Sequence, residues 1–169
     1  MSYVVVQLSY TTCVIVNSVD AIEEFRYLVL AVQREGNRAF AAGLRPLGVT
    51  PAQAEALRVL AERAPLSLSE LGGLLICETG GSPSRLVDRL VAIGLVSRDT
   101  GTDRRSIRLE LTSKGAEIAR KVAVAEDGLY DGLRPLLEGQ PLDETLATLR
   151  AVANVFPAGQ ALRRRMRVE

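Results

Sequence analysis

The stretch Ser82–Thr112, SPSRLVDRLVAIGLVSRDTGTDRRSIRLELT, constrains the fold more than any other part of the chain. Ser82 precedes a proline, and Leu86, Val87, Leu90, Val91 and Ile93 follow at helical spacing, which predicts a capped helix with one apolar face. Gly94 is its stop signal. Leu95 to Thr100 reads as a strand and GTDR as a turn. Ile107, Leu109 and Leu111 then alternate with Ser106, Arg108 and Glu110 as a half-buried second strand. Thr112 caps whatever helix comes next.

The chain before this stretch is helical from Asp20. Ala21, Phe25, Leu28, Val29, Val32 and Ala39 form an apolar series that runs to about Gly43. Thr50-Pro51-Ala52-Gln53 is a helix start with a capping residue, a proline and a reciprocal Gln. Its helix turns Leu57, Leu60 and Ala61 inward and ends before Pro65. Ser67-Leu68-Ser69-Glu70 is a second capping box, opening a short helix through Leu71, Leu74 and Leu75, and Ile76–Gly81 is a turn. After Thr112 a long helix extends to about Gly139. Pro141 starts a last helix with Leu146, Leu149, Val152, Ala153 and Val155 inward, and Pro157 and Gly159 end it. These elements predict a mainly α fold with a small β-hairpin wing, a winged helix-turn-helix over about 50–112, within a single domain spanning 19–157. Residues 1–18 are a β-branched leader with no role assigned. Residues 158–169, with Arg163–Arg167, are a basic tail read as a solvated end.

Composition narrows the function classes. The chain has no histidine and two cysteines, Cys13 and Cys77, which excludes a His-based triad or a His/Cys zinc site. Gly72-Gly73 and Gly80-Gly81 do not lead into a Lys-Ser/Thr pair, so no phosphate loop is present. The adjacent Glu23 and Glu24 point to different sides of a helix. No cofactor, metal or enzymatic activity is expected. The run VVVQLSYTTCVIV lacks a preceding basic residue and is too short and polar to span a bilayer, so a cytoplasmic protein with no membrane partner is expected.

Net charge is only +1, but residues 85–121 carry +4 while their flanks are acidic. The basic excess sits on the helix and hairpin of Ser82–Thr112, where a phosphate-binding surface would need it. The positive charge is Arg throughout, apart from Lys114 and Lys121. Ser82, Ser84 and Arg85 at the helix start, with Pro83 in its first turn, are candidates for base edges, and the free N–H groups there suit a phosphate. Arg89, a turn later, suits a second phosphate. At the hairpin tip Asp103 pairs with Arg105 and leaves Arg104 for the minor groove, or the two arginines exchange roles.

The segments LGVTPAQAEALRVL, SLSELGGLL, SRLVDRLVAIGLVSR, DRR and LELTSKG resemble the MarR family of bacterial transcription regulators, over roughly residues 20–157. The resemblance implies a homodimer whose interlocking helices are about 20–43, 114–139 and 141–157. Each protomer presents its winged helix to one half-site of a pseudo-palindromic operator in double-stranded DNA. It also implies a sequence-specific regulator, most often a repressor, released by a small aromatic or anionic effector. Arg45, Gln53 and Leu57 lie near the place expected for that effector. Two alternatives stand beside this reading: a thiol-redox sensor acting through Cys77, and a winged-helix protein-interaction adaptor that binds no DNA. The chain departs from the family pattern in ICETGG, about two residues longer than usual, and in Ser84, where Thr is frequent.

Overall fold

The computed structural model describes residues 20–77, 82–99 and 107–166. The chain falls into two units, one up to Arg38 and one from Ala39 onward, with the boundary inside the first helix. That helix, α1, spans Ala21–Leu44. Its start is held by the Asp20 carboxylate, which accepts the Ile22 N–H at 3.1 Å. In the first unit Ile22, Leu28, Val29 and Val32 are exposed.

The second unit contains the core. The last turns of α1 run into a 3₁₀ turn, Arg45–Leu47, closed by Gly48 at φ 67°. Next is α2, Pro51–Arg63, opened by a complete capping box: the Thr50 hydroxyl accepts the Gln53 N–H and the Gln53 side chain accepts the Thr50 N–H. A second complete box, Ser67 with Glu70, opens the five-residue α3, Leu68–Gly72. After it come α4, Pro83–Ala92, the strands β1, Val96–Asp99, and β2, Arg108–Leu111, and then α5, Ser113–Leu137, and α6, Leu142–Ala153. The strands pair antiparallel with Val96 opposite Leu111 and Asp99 opposite Arg108. Leu66 adds an isolated bridge on the other edge of β2 through reciprocal backbone bonds to Leu109. Leu44, Leu57, Leu60, Leu71, Leu86, Leu90, Leu109 and Val122 are all but inaccessible and meet in one core beneath α2, α3, α4, the hairpin and the first half of α5.

Several expectations need correction. Ala61 is exposed, because the buried arc of α2 ends at Leu60 and its last turn is polar. Ile93 is 43% exposed. It is the C-cap residue of a Schellman turn in which Leu95 N–H bonds the Leu90 carbonyl and Gly94 N–H bonds that of Val91, so Leu95 fills the apolar place instead. Ile107 lies outside the paired register, which begins at Arg108, and is exposed. Thr100 and the GTDR turn lie outside the described residues. Pro141 is the N-cap of α6 rather than its first residue, and Leu149, Val152 and Val155 are exposed, because no described residue covers that face. Pro157 does not end the helical region. It begins a seventh helix, α7, Pro157–Met166, in the segment read as a solvated tail.

Two close contacts set the geometry. A Cβ at Gly115 would overlap the backbone of Leu95, so the first turn of α5 can lie against the end of α4 only with glycine there. A Cβ at Gly159 would likewise overlap the Ala153 carbonyl, which seats α7 tightly on α6. We expect Gly115→Ala to cost about 3 kcal/mol or more, the upper range of overpacking, read as a fall in the urea midpoint. The second prediction concerns Glu70, whose carboxylate accepts the Ser67 N–H and the Arg108 guanidinium. Hydrogen bonds from Ser67 chiefly, and Arg108 after them, hold its carboxyl below the ordinary value of 4.5. A depressed acid stabilises the fold above its unfolded pKa and loses that contribution as pH falls through the folded one. Wild type should therefore exceed Glu70→Ala in stability at neutral pH, with the gap narrowing below pH 4.5.

Candidate nucleic-acid interface

Helix α4 is pinned by its own apolar face. Leu86, Val87 and Leu90 are buried, at about 1.5–3 kcal/mol for each such side chain, which leaves Ser82, Arg85, Asp88 and Arg89 along the outside. Ser82 has the backbone geometry of an N-cap, but its hydroxyl does not cap. It shares a 2.6 Å hydrogen bond with the Ser84 hydroxyl, so the expected side-chain cap is absent. The Ser82 carbonyl accepts the Arg85 N–H at 3.1 Å. Pro83 contributes no donor at the first position. The result is a helix start with two hydroxyls side by side and an exposed guanidinium, Arg85, that makes no ion pair among the described residues.

The wing is tied to this helix at its base. Arg98 of β1 forms an ion pair with Asp88 of α4, and Arg108 of β2 with Glu70 of α3 at 3.0 Å. Both pairs are exposed and each is worth only about 0–1 kcal/mol, so they orient the hairpin more than they stabilise it. Leu109, buried against Leu66, carries the packing. The far end of α4 is stitched to α5. The Thr112 hydroxyl donates to the Gly94 carbonyl at 2.7 Å, Thr112 N–H to Leu95 at 3.1 Å and the Lys114 ammonium to the Ile93 carbonyl at 3.2 Å. Thr112 also caps α5 by accepting the Gly115 N–H. A cation at the C-terminal carbonyls of α4 complements the helix dipole.

The turn before α4 is organised by a buried carboxylate. Glu55, on α2, is 7% exposed and accepts the Ile76 N–H at 2.9 Å, the Cys77 N–H at 2.8 Å and Nη1 of Arg165 at 3.1 Å. Burial and the adjoining Glu55 carboxylate push the Cys77 thiol up to about 11, although Arg165 opposes this. A second cluster lies on the other flank of α2. Arg58 pairs with Glu126 of α5 and Glu62, both at 3.0 Å, yet burial keeps the Glu126 carboxyl above its ordinary value.

Ser82, Pro83, Ser84, Arg85 and Arg89 thus share one helix start and its outer strip. Asp103, Arg104 and Arg105 lie outside the described residues. The three residues named for an effector do not form one lining. Arg45 is exposed, the Gln53 side chain is engaged in the capping box of α2, and Leu57 is fully buried in the core. Sequence reasoning missed Glu55, Arg98, Arg108, Arg164 and Arg165. Their partners lie 10 to 110 residues away, and no local spacing signals such pairs. A charged residue amid the apolar run of α2 was the one available hint for Glu55. Among the described residues, no helix is long and apolar enough to cross a membrane.

Residues 49–115 match the model of a winged helix DNA-binding domain. No curated protein matches the chain by sequence. Among solved structures, a mutant of MarR from E. coli complexed with operator DNA is 27% identical, with a TM-score of 0.67 over 79% of this chain and 99% of that one. The S. aureus MepR–DNA complex is 18% identical, with a TM-score of 0.70 over 78% of this chain and 98% of that one. The organohalide-sensing regulator RdhR in its 2,4-dichlorophenol-bound form is 15% identical, with a TM-score of 0.72 over 90% of each chain. At those lower identities the likeness concerns the fold. The chain therefore carries a winged helix DNA-binding domain and is, over most of its length, similar to the MarR family of transcription regulators.

Proposed function

We propose that this protein is a homodimeric, sequence-specific transcription regulator, a repressor that reads a pseudo-palindromic operator in double-stranded DNA and leaves it on binding a small effector. The observation that carries the reading is α4. Its apolar face is sunk in the core, while Ser82, Ser84 and Arg85 stand together at its solvent-facing start. In this role Arg85 forks onto a base edge, Arg89 holds a phosphate, and the helix N-terminus offers backbone N–H groups to another. At the wing, one of Arg104 and Arg105 is assigned to the minor groove and the other to Asp103, in either order.

The dimer is favoured by the apolar surface of the second unit's C-terminal helices. Leu133, Leu136, Leu137, Val152, Val155 and Phe156 are all exposed in the single chain. A monomer would leave this face in water, and a second copy removes it. The effector is a small aromatic or anionic molecule; RdhR has been solved with 2,4-dichlorophenol bound. Of the residues first considered for it, Arg45 keeps a solvent-facing charge suited to an anion.

A thiol switch at Cys77 is disfavoured by chemistry. The thiolate is the reactive form, and a thiol pushed up to about 11 holds about a hundredfold less thiolate at pH 8 than one with the ordinary value of 9.0. Because a thiolate of higher pKa is also the stronger nucleophile, Cys77 should be alkylated about tenfold more slowly than a free thiol at pH 8, as followed by mass spectrometry of its peptide.

The function itself is tested by binding the protein to fragments of its own upstream DNA across a salt series. We expect one fragment to be preferred, with affinity falling steeply as salt rises. Arg85→Ala should cost about 1–3 kcal/mol and relax the preference at one base pair, whereas Arg104→Ala should reduce the salt slope by about 1. Equal binding to every fragment, or none, would return the chain to the adaptor reading.

A further inference from the structure

The last turn of helix α7 is tied to the rest of the second unit. Two consecutive arginines reach from it to the two sides of the turn that leads from α3 to α4. Arg164 donates from Nε at 3.0 Å and from Nη2 at 2.8 Å to the Gly73 carbonyl, at the C-cap of α3. Arg165 donates to Glu55, whose carboxylate in turn accepts the Ile76 and Cys77 N–H groups. Arg165 is itself fixed, since its carbonyl accepts Nη2 of Arg63 at 2.7 Å. The held segment bears on the reading helix, because the α carbon of Gly72 is so close to Pro83 that an added Cβ would stand 3.2 Å from its Cγ.

A five-residue helix has little stability of its own, and its last carbonyls have no partner within it. Arg164 supplies that partner for α3. A buried carboxylate persists only with its acceptor sites filled, and Arg165 supplies the one cation in contact with Glu55 among the described residues. We propose that α7 is a clamp on the DNA-reading module, with Arg164, Arg165 and Glu55 as positioning residues that set where the start of α4 stands. This rests on α4 being the DNA-reading helix, and it gives a task to a segment outside the winged helix domain. The clamp acts on the selectivity of reading, because none of the three residues lies on the outer strip of α4.

The test uses the full chain with Arg165→Ala, Arg164→Ala, Glu55→Gln and Arg165→Lys. Amide hydrogen exchange at Ile76 and Cys77 reads the turn without DNA, and the Val122 amide reads global opening. Affinities for the preferred fragment and for random DNA give the selectivity. Arg165→Ala and Glu55→Gln should speed exchange at Ile76 and Cys77 at least about tenfold while Val122 is unchanged. Both should lower preferred-fragment affinity about tenfold with random DNA affinity intact, and Arg165→Lys should restore most of it. Arg164 is exposed, so Arg164→Ala, with a selectivity loss in the same direction, keeps the test decisive if Glu55→Gln fails to fold. Unchanged exchange at the two amides, unchanged selectivity, or a parallel loss of both affinities with faster Val122 exchange would overturn the clamp. If wild type selects no fragment, the regulator reading fails, and the exchange arm alone decides whether α7 holds the turn.

Discussion

The first turn of α5 lies directly on the chain at Leu95, and glycine at position 115 is what lets the backbones meet. Around that contact Thr112 bonds backwards to Gly94 and Leu95 and forwards to Gly115. One short segment therefore ends α4, closes the hairpin and starts α5, the longest helix among the described residues. The direction of α4 relative to α5 is decided here by backbone against backbone, with no long side chain between them to absorb a change. A reorientation of α5 must carry the end of α4 with it or break these bonds.

The start of α4 is held by different means. At one end three short hydrogen bonds and a glycine contact do the work. At the other, Pro83 meets Gly72, and the preceding turn hangs on a buried carboxylate. Magnitudes rank these contributions. The surface pairs Asp88–Arg98 and Glu70–Arg108 are worth little beside the burial of Leu86, Val87 and Leu90. They select the angle of the wing on a module whose stability comes from its core. Glu55 differs from them because it is buried, and losing one of its partners leaves a charge with fewer donors and no water to replace them.

Much of this was legible in the sequence for local reasons. Both capping boxes, the glycine stop after α4 and the Thr112 cap depend on residues within five positions of one another, and all of them are present. The apolar period of α4 predicted its inner face up to Ile93, which failed because the Schellman turn swings that residue outward and lets Leu95 take its place. Ser82 failed as a side-chain cap because a second hydroxyl two residues on competed for it. Leu57 is wholly buried, and periodicity marks such a core position without separating it from a cavity wall. The role of α7 was invisible, because four arginines near a chain end read as solvated charge. Only the tertiary contacts with Gly73 and Glu55 give two of them, Arg164 and Arg165, their partners.

Arg165 is gripped twice by the same helix, through its guanidinium by Glu55 and through its carbonyl by Arg63. Positions 55 and 63, on one helix, are therefore one unit in energy with position 165, about a hundred residues further along. Substitutions at such sites are not additive, and the cost of changing one depends on the identity of the others. In a lineage of related chains these positions would drift together. A carboxylate at 55 favours retention of the arginine, and an apolar replacement at 55 frees position 165 to change as well. Epistasis of this kind would let helix α7 constrain the sequence of the turn before α4, although no residue belongs to both.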